Sequence, residues 1–266
     1  MAKGPGVRPE GRARYTVRAI ERAISILNAF SFDERELSLG SLTEKTALSK
    51  PTVFRILSTL ESHGYVSQDP ARGSYRLGSK FLELGGLALS SVGPRNAARP
   101  HLDRLRAELR VTILFGVLID DQLVYVDKRE SEGPIRIVSD VGLRRNPNYG
   151  MLGMALMAFL EDAEAERLLA RFPLEPYTRF SLTDPEAFRR RLREVRREGY
   201  AVETNEAIEG VWGVAAPVRD ARREVVAAVG AASPLGEKSE RRVAEVTERV
   251  RACARAISEA MGFPAD

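Results

Sequence analysis

The sequence has little with which to do redox or metal chemistry. Its 266 residues include one cysteine and two histidines. Cys253 can form no internal disulfide, so secretion on a disulfide framework is excluded and a reducing cytoplasm is the expected location. A dedicated His/Cys zinc cage, which takes about four such ligands, is excluded as well. No apolar run reaches the ~18 residues of a membrane-spanning helix. The opening stretch MAKGPGVRPEGRARYTV lacks the apolar core of a signal peptide, so export is not expected. There is no G-x-S-x-G, no glycine-rich phosphate loop and no metal-ligand spacing. His63 and His101 stand far from Cys253 in sequence, and Cys253 sits between alanines, where packing is its expected role. No cofactor and no metal is therefore expected. An enzyme with a carboxylate-based site in its C-terminal part stays open as an alternative, because acidic residues are plentiful.

What is present describes a folded protein. Hydrophobic residues make up 44% and charged residues 29% of the chain, which is ordinary for globular domains, and the length suits two of them. The net charge of +4 is unevenly placed. Residues 1–95 hold 14 Lys and Arg against 9 Asp and Glu; the remainder holds 27 against 28. A basic N-terminal third beside a neutral remainder is the asymmetry expected when one part meets a polyanion. Taken alone, it equally describes a solvated surface.

Residues 1–14, rich in Gly, Pro and Arg, read as a flexible basic tail. Val17, Ile20, Ala23, Ile24, Leu27 and Phe30 fall at helical spacing. A short second helix is expected over Leu42–Ala47, started by Ser41 or Ser38. Ser49 then opens a third helix, with Pro51 in its first turn and Gly64 as its stop. GYVSQDPARGSYRLG reads as two short strands around a turn at Asp69–Gly73. Three helices and a hairpin in this compass are the layout of a winged helix-turn-helix. Burying Val53, Ile56, Leu57 and Leu60 of the third helix leaves Thr52, Arg55, Thr59 and Ser62 opposite, Glu61 at the flank and Lys50 at the exposed end. Such a donor-lined face suits the major groove of operator DNA. Phe54, off the stripe, either touches a thymine methyl or covers a neighbouring helix. Arg72 at the hairpin tip and Arg76 on its second strand are placed to meet phosphates. A winged helix used only for protein contact is the third reading; a neutral or acidic third helix would have favoured it.

The run LSLGSLTEKTALSKPTVFRILSTLESHGYV, followed by YRLG, resembles the IclR family of bacterial transcription regulators. Ser49, Lys50, Pro51, Thr52, Val53, Phe54 and Arg55 match its recognition-helix pattern, with Pro51 where a hydroxyl usually sits. The resemblance continues through GLRRNPNYGMLGMALMAF, GYAVETNEAIEGVWGVAAPVRD and EVVAAVGAASP, so it spans about residues 15–262. It implies an α+β chain: a winged helix-turn-helix at 15–78, a linker helix at 79–95, and a GAF/PAS-like antiparallel-sheet effector domain at 96–262. The apolar Phe81, Leu84, Leu87 and Ala88 of the linker helix are expected to meet a second copy, giving a dimer or a dimer of dimers. Palindromic operators require two such modules.

In the C-terminal part, strands are expected over VTILFGVLI and QLVYVDK, joined at Asp120–Asp121, and over PIRIVSDV, Val211–Arg219 and Val225–Ala231. Helices are expected over Asn96–Leu109, Leu152–Phe159, Ala163–Phe172, Pro185–Glu198 and Glu237–Met261. By resemblance, the effector lies between Asn148–Leu152 and the last strand pair. Gly230 and Ala232 stand where serine is frequent, Gly213 stands where cysteine is common, and Glu203 occupies an acidic position that faces the effector in relatives. Asn148, Tyr149, Met151, Leu152 and the sole tryptophan, Trp212, complete the expected site. Lost hydroxyls and gained aromatic and sulfur groups point to a bulky or aromatic metabolite, held in the room left by the missing side chains and close enough to Trp212 to quench it.

Overall fold

The computed structural model describes residues 16–131, 137 and 139–264, and the tail expected over residues 1–14 lies outside them. The chain forms two compact units that divide between Ala88 and Leu89.

In the first unit, helices α1 (Arg18–Leu27), α2 (Leu39–Thr46) and α3 (Lys50–Ser62) pack around Ile26, Leu42, Val53 and Leu57, all fully buried. Ser38 is the N-cap of α2, its hydroxyl accepting from the Ser41 amide at 3.1 Å. Ser49 holds the N-cap position of α3, but its hydroxyl bonds the Thr52 hydroxyl at 2.8 Å instead of a backbone amide. Gly64, at φ +75°, ends that helix. Strands β1 (Glu36–Ser38), β2 (Val66–Gln68) and β3 (Ser74–Leu77) form an antiparallel sheet in the order β1-β3-β2, of which only the β2–β3 hairpin was legible in the sequence. The apolar stripe expected to bury α1 is only half used. Ala23, Leu27 and Phe30 are half-buried and Ile26 is fully so, whereas Val17, Ile20 and Ile24 are 58, 57 and 49% exposed.

Helix α4 (Lys80–Ser90) follows. Phe81 turns inward and packs edge-on against Tyr65, with ring centroids 5.5 Å apart. It therefore leaves the open face, on which the expected Leu84, Leu87 and Ala88 stay exposed together with Leu82.

The second unit is a three-layer sandwich. Six antiparallel strands run in the order β6-β5-β4-β9-β8-β7: β4 (Thr112–Ile119), β5 (Gln122–Arg129), β6 (Arg144–Arg145), β7 (Ala201–Thr204), β8 (Val211–Arg219) and β9 (Val225–Pro234). Asp120 and Asp121, both at positive φ, make the tight β4–β5 turn that twisted hairpins favour. Helices α5 (Gly93–Leu109) and α9 (Glu240–Ala260) cover one face, with Leu102, Leu105, Val250 and Ile257 in its core. Helices α6 (Gly150–Met157), α7 (Asp162–Arg171) and α8 (Pro185–Glu198) cover the other, with Leu156, Leu168, Phe188 and Val195 inside. A 3-10 turn at Leu235–Glu237 precedes α9, whose N-cap is Ser239. The strand expected over residues 134–141 falls partly outside the described residues; the strand that pairs β5 on this edge is β6.

Gly78 joins the wing to α4. Its amide donates to the Tyr65 carbonyl at 2.8 Å, and a Cβ there would overlap the Gly64 carbonyl oxygen. Gly78→Ala is therefore expected to cost about 1–3 kcal/mol. Gly85→Ala, inside α4 and facing open space, is expected to gain about 0.5–1 kcal/mol from helix propensity. Denaturant unfolding of the two variants checks the contrast.

Candidate nucleic-acid interface and effector site

The exposed side of α3 carries Lys50, Phe54, Arg55 and Thr59, with Phe54 at 53% exposure. Among the described residues, neither the Lys50 nor the Arg55 side chain has a hydrogen-bond or ion-pair partner. Thr52 is half-buried, and Thr59 returns its hydroxyl to the Arg55 carbonyl at 3.0 Å. Glu61, the one carboxylate near this face, is turned to the wing, where it accepts from the Gln68 amide at 3.0 Å. The wing turn is fixed by Asp69, which accepts from the amides of Ala71 and Arg72 at 2.8 and 3.2 Å. Those bonds hold its carboxyl below the usual range. Arg72 lies 3.9 Å from Glu36, and Arg76 donates to Ser67 at 3.1 Å; both remain exposed. The face is thus polar to basic, with two uncommitted cations.

In the second unit the pleat decides which expected residues can meet. On β8, Val211, Gly213 and Ala215 face α6, whereas Trp212, Val214 and Ala216 face α5 and α9. Trp212 is fully buried in that other layer, so it does not line the site expected for it. Period-two alternation makes Gly213 and Trp212 alternatives, never partners. Gly213, Gly230 and Ala232 do converge beneath α6, but the room expected over the two glycines is filled. A Cβ on Gly213 would overlap the Met151 sulfur, and one on Gly230 would come to 3.0 Å from the Met151 methyl. The thioether stands where the lost side chains would project. A leucine at 230 would therefore collide with Met151 before it blocked any ligand.

Polar groups gather beside this plug, at the start of α6. Asn148 donates to the Phe172 carbonyl at 2.7 Å, which anchors the turn. Gly150 begins the helix at φ +62°, and a Cβ there would lie 2.8 Å from Glu203 Oε2. Glu203, on β7, is buried and accepts from the backbone amides of Met151 and Ala207. Burial, then the neighbouring Glu206 carboxylate, push its pKa up to about 7 against the two amide bonds. Glu206 lies 3.4 Å from Arg191 and is raised too, first by burial. Tyr149 donates to the Ala207 carbonyl at 3.3 Å and stacks edge-on with Tyr177, ring centroids 4.7 Å apart. The Arg145 guanidinium sits 5.1 Å from the centre of the Tyr149 ring. Tyr125 is buried next to this group, bonded to Ser139, and burial raises its phenol strongly. Three buried atoms are left without hydrogen-bond partners here: Arg145 Nε, Glu203 Oε2 and Glu206 Oε2. Among the described residues no carboxylate lies within ion-pair distance of Arg145.

Asn148, Gly150, Tyr177, Ser181, Glu206 and Ala207 enclose a cavity of about 20 Å³, room for one water. A far larger groove of about 1100 Å³ runs along the outer side of α9 beside Tyr200. It is open, of mixed charge, and among the described residues borders no buried unpartnered group, so volume alone does not mark the site. Sequence reasoning missed Tyr125, Arg145, Tyr177 and Glu206. Tyr125 and Tyr177 lie outside the stretches that named the site, and the sheet and the 172–184 loop bring them in; Arg145 and Glu206 lie inside those stretches and were passed over as surface charges. Among the described residues no helix is long and apolar enough to cross a membrane, and no cluster of three or more His, Cys, Asp or Glu could hold a metal ion.

Stability should register Glu203. Its folded pKa of about 7 lies above the ordinary 4.5, so the native state keeps a proton that the unfolded chain gives up. The stability tied to that proton is present below pH ~4.5 and lost as pH rises through about 7. Relative to Glu203→Gln, the parent is expected to lose stability across that window and then level off, as read by urea unfolding at stepped pH.

Comparison with known proteins gives consistent results. The model described as IclR helix-turn-helix domain matches residues 19–70, and that described as bacterial transcriptional regulator IclR C-terminal matches residues 86–259. The chain is 31% identical over 249 residues to the HTH-type transcriptional regulator XynR of Escherichia coli, covering 94% of this chain and 99% of the relative. It superposes on the crystal structure of a transcriptional regulator from Rhodococcus with a TM-score of 0.84 at 26% identity, covering 92% of this chain and 98% of that one. It superposes on an IclR homolog from Microbacterium hydrocarbonoxydans, solved in complex with 4-hydroxybenzoate, with a TM-score of 0.79 at 26% identity, covering 91% and 98%. These relatives are regulators, and none supports the carboxylate-based enzyme.

Proposed function

Because the chain belongs to the IclR family of bacterial transcription regulators, we propose that Lys50 and Arg55 carry its contact with operator DNA and that Arg145 holds the carboxylate of an aromatic effector. As a member of that family it is a ligand-responsive DNA-binding regulator and not an enzyme. The proposal concerns which residues do this. One observation carries it: among the described residues, Lys50 and Arg55 stand exposed on α3 without an acidic partner, and half-buried Arg145 keeps an unbonded Nε inside a polar aromatic cluster. Arg55 has the reach to take a guanine edge, and Lys50 to meet phosphate. Thr52, Phe54, Thr59, Arg72 and Arg76 flank them as positioning contacts. The domain division follows the same roles: winged helix at 15–78, linker at 79–95, effector domain at 96–262.

The effector reading rests on Arg145 Nε. A buried donor without a partner is costly, and a carboxylate would relieve it with a charge-assisted bond. Tyr125, Tyr149 and Tyr177 supply ring faces beside it, and the relative bound to 4-hydroxybenzoate supports an aromatic acid. Asn148 and Glu203 hold the turn and the start of α6, while Leu152, Gly213, Gly230 and Ala232 form the wall behind Met151. A ring cannot enter the present cavity of about 20 Å³, so binding moves part of its lining. Assembly into a dimer or a dimer of dimers is supported by Val17, Ile20 and Ile24 on α1 and Leu82, Leu84 and Leu87 on α4, all large apolar side chains left exposed.

Arg55→Ala is expected to weaken specific DNA binding by about 1–3 kcal/mol. Lys50→Ala should weaken binding to all sequences and lower the salt slope by about one. Fluorescence anisotropy at rising salt, with operator and random duplexes, separates the two, and unchanged affinity in both variants defeats the placement of α3 on DNA. Arg145→Met is expected to lower affinity for aromatic carboxylates about tenfold or more, as measured by calorimetry. An unaltered affinity would move the site elsewhere.

A further inference from the structure

Strand β5 carries an irregularity that sits between the effector cluster and the start of the second unit. Phe115 pairs with Asp127, but its neighbour Gly116 pairs with Tyr125, so Val126 is an extra residue on β5. This is a β-bulge, and it changes the phase of the strand. Tyr125 faces the α6 layer, whereas Val126 belongs to the core on the α5 side. Strict alternation would return residue 127 to the α6 side. The partners of Asp127 instead include Arg95 of α5 and Arg129, which itself bonds Asp103 of α5.

The bulge is read by one side chain. Arg95, in the first turn of α5, donates its Nε hydrogen to the carbonyl of Val126 at 2.9 Å, and the same nitrogen lies 3.3 Å from Asp127 Oδ2. Its neighbour Asn96 donates to the Ser90 carbonyl, the last of α4, at 3.0 Å. On the other side of the bulge, the backbone of Tyr125 bonds the edge segment through Leu143 and Gly142 at 3.1 and 2.7 Å, and its hydroxyl bonds Ser139. Two hydrogen bonds, Arg95 to the Val126 carbonyl and Asn96 to the Ser90 carbonyl, joined through the peptide links Tyr125–Val126 and Arg95–Asn96, therefore lead from Tyr125 to the end of the linker helix.

We propose that Arg95 is the positioning residue that couples the effector site to the linker helix, by clamping the carbonyl of the Val126 bulge. This rests on the reading that the effector binds against Tyr125. A ligand that displaces Tyr125 displaces a strand whose next carbonyl, at the bulge, is the one that Arg95 holds. Asp103–Arg129 and the bond from Arg106 to the Glu130 carbonyl at 3.2 Å fasten the rest of α5 to β5, so motion concentrates at its first turn. Arg95 is set apart from those ties because its bond goes to the carbonyl of the bulged residue itself.

The test is a double-mutant cycle on the full chain without effector or DNA, read by hydrogen–deuterium exchange of the amides of residues 89–98. Tyr125→Phe removes the hydroxyl that bonds Ser139. In the parent background it is expected to speed exchange in that stretch about fivefold, the equivalent of one lost hydrogen bond. In the Arg95→Met background the same change should do less than about twofold, the signature of a shared network. Asp103→Ala serves as the control and should leave the Tyr125→Phe effect intact. If Arg95→Met fails to fold, Arg95→Lys replaces it: lysine keeps the charge beside Asp127 but puts a methylene where the Nε donor stands, so it should also uncouple. Equal effects of Tyr125→Phe in both backgrounds, or none in the parent, overturn the coupling. Because no effector is used, this outcome is separate from the Arg145→Met result, which tests the site alone.

Discussion

The period of two along β8 and β9 governs the second unit. Each residue of these central strands is committed to one of two helical layers, and the commitment alternates along the chain. One face of the pair presents Gly213, Ala215, Ala228, Gly230 and Ala232, so α6 can approach closely. The other presents Trp212, Val214, Val218 and Val229 to α5 and α9. The glycines and alanines of the first face set how near α6 can come. The close approach of α6 then dictates the rest: its start meets Glu203, its Met151 closes the space over the glycines, and Asn148 must hold the turn that leads into it.

The electrostatics of the cluster follow from the same closeness. A carboxylate under the first turn of a helix is favourable, because free amides point toward it. Burying that carboxylate next to a second one is unfavourable. Glu203 experiences both, and the balance leaves it near neutrality in the physiological range. Arg191 offsets Glu206, whereas Arg145 stands over a ring rather than beside an acid. The cluster is thus incompletely compensated in both signs, with Arg145 Nε, Glu203 Oε2 and Glu206 Oε2 left without hydrogen-bond partners.

The winged helix was legible in the sequence because local signals carried it: a serine cap, Pro51 in the first turn, the Gly64 stop and the Asp69–Gly73 turn. Most long elements of the second unit were legible for the same reason, as with Val211–Arg219 and Pro185–Glu198. The short strands β1, β6 and β7 were not: β1 and β6 pair with strands far along the chain, and β7 is four residues long, too short for alternation to show. The candidate effector site was legible in part. Asn148, Tyr149, Glu203, Gly213 and Gly230 do come together, but Trp212 was assigned by proximity in sequence to a face that its pleat forbids. The glycines were read as vacant space, although a long side chain from α6 fills it; one-dimensional spacing says nothing of what packs from the opposite element. Likewise α1 showed an amphipathic stripe in which the sequence does not distinguish the buried Ile26 from the exposed Val17, Ile20 and Ile24.

At the proposed effector site, a cavity with room for a single water would set the tempo of binding as well as its selectivity. Ligand capture must wait for the lining to part, so the association rate follows the frequency of opening and not the rate of collision. Affinity is reduced by the fraction of time spent open, yet a captured ring is released just as seldom. Such a sensor responds to the sustained presence of its metabolite and ignores brief pulses. In signalling terms, a proposed site closed by the packing around Tyr149 and Tyr177 would make the chain a low-pass filter.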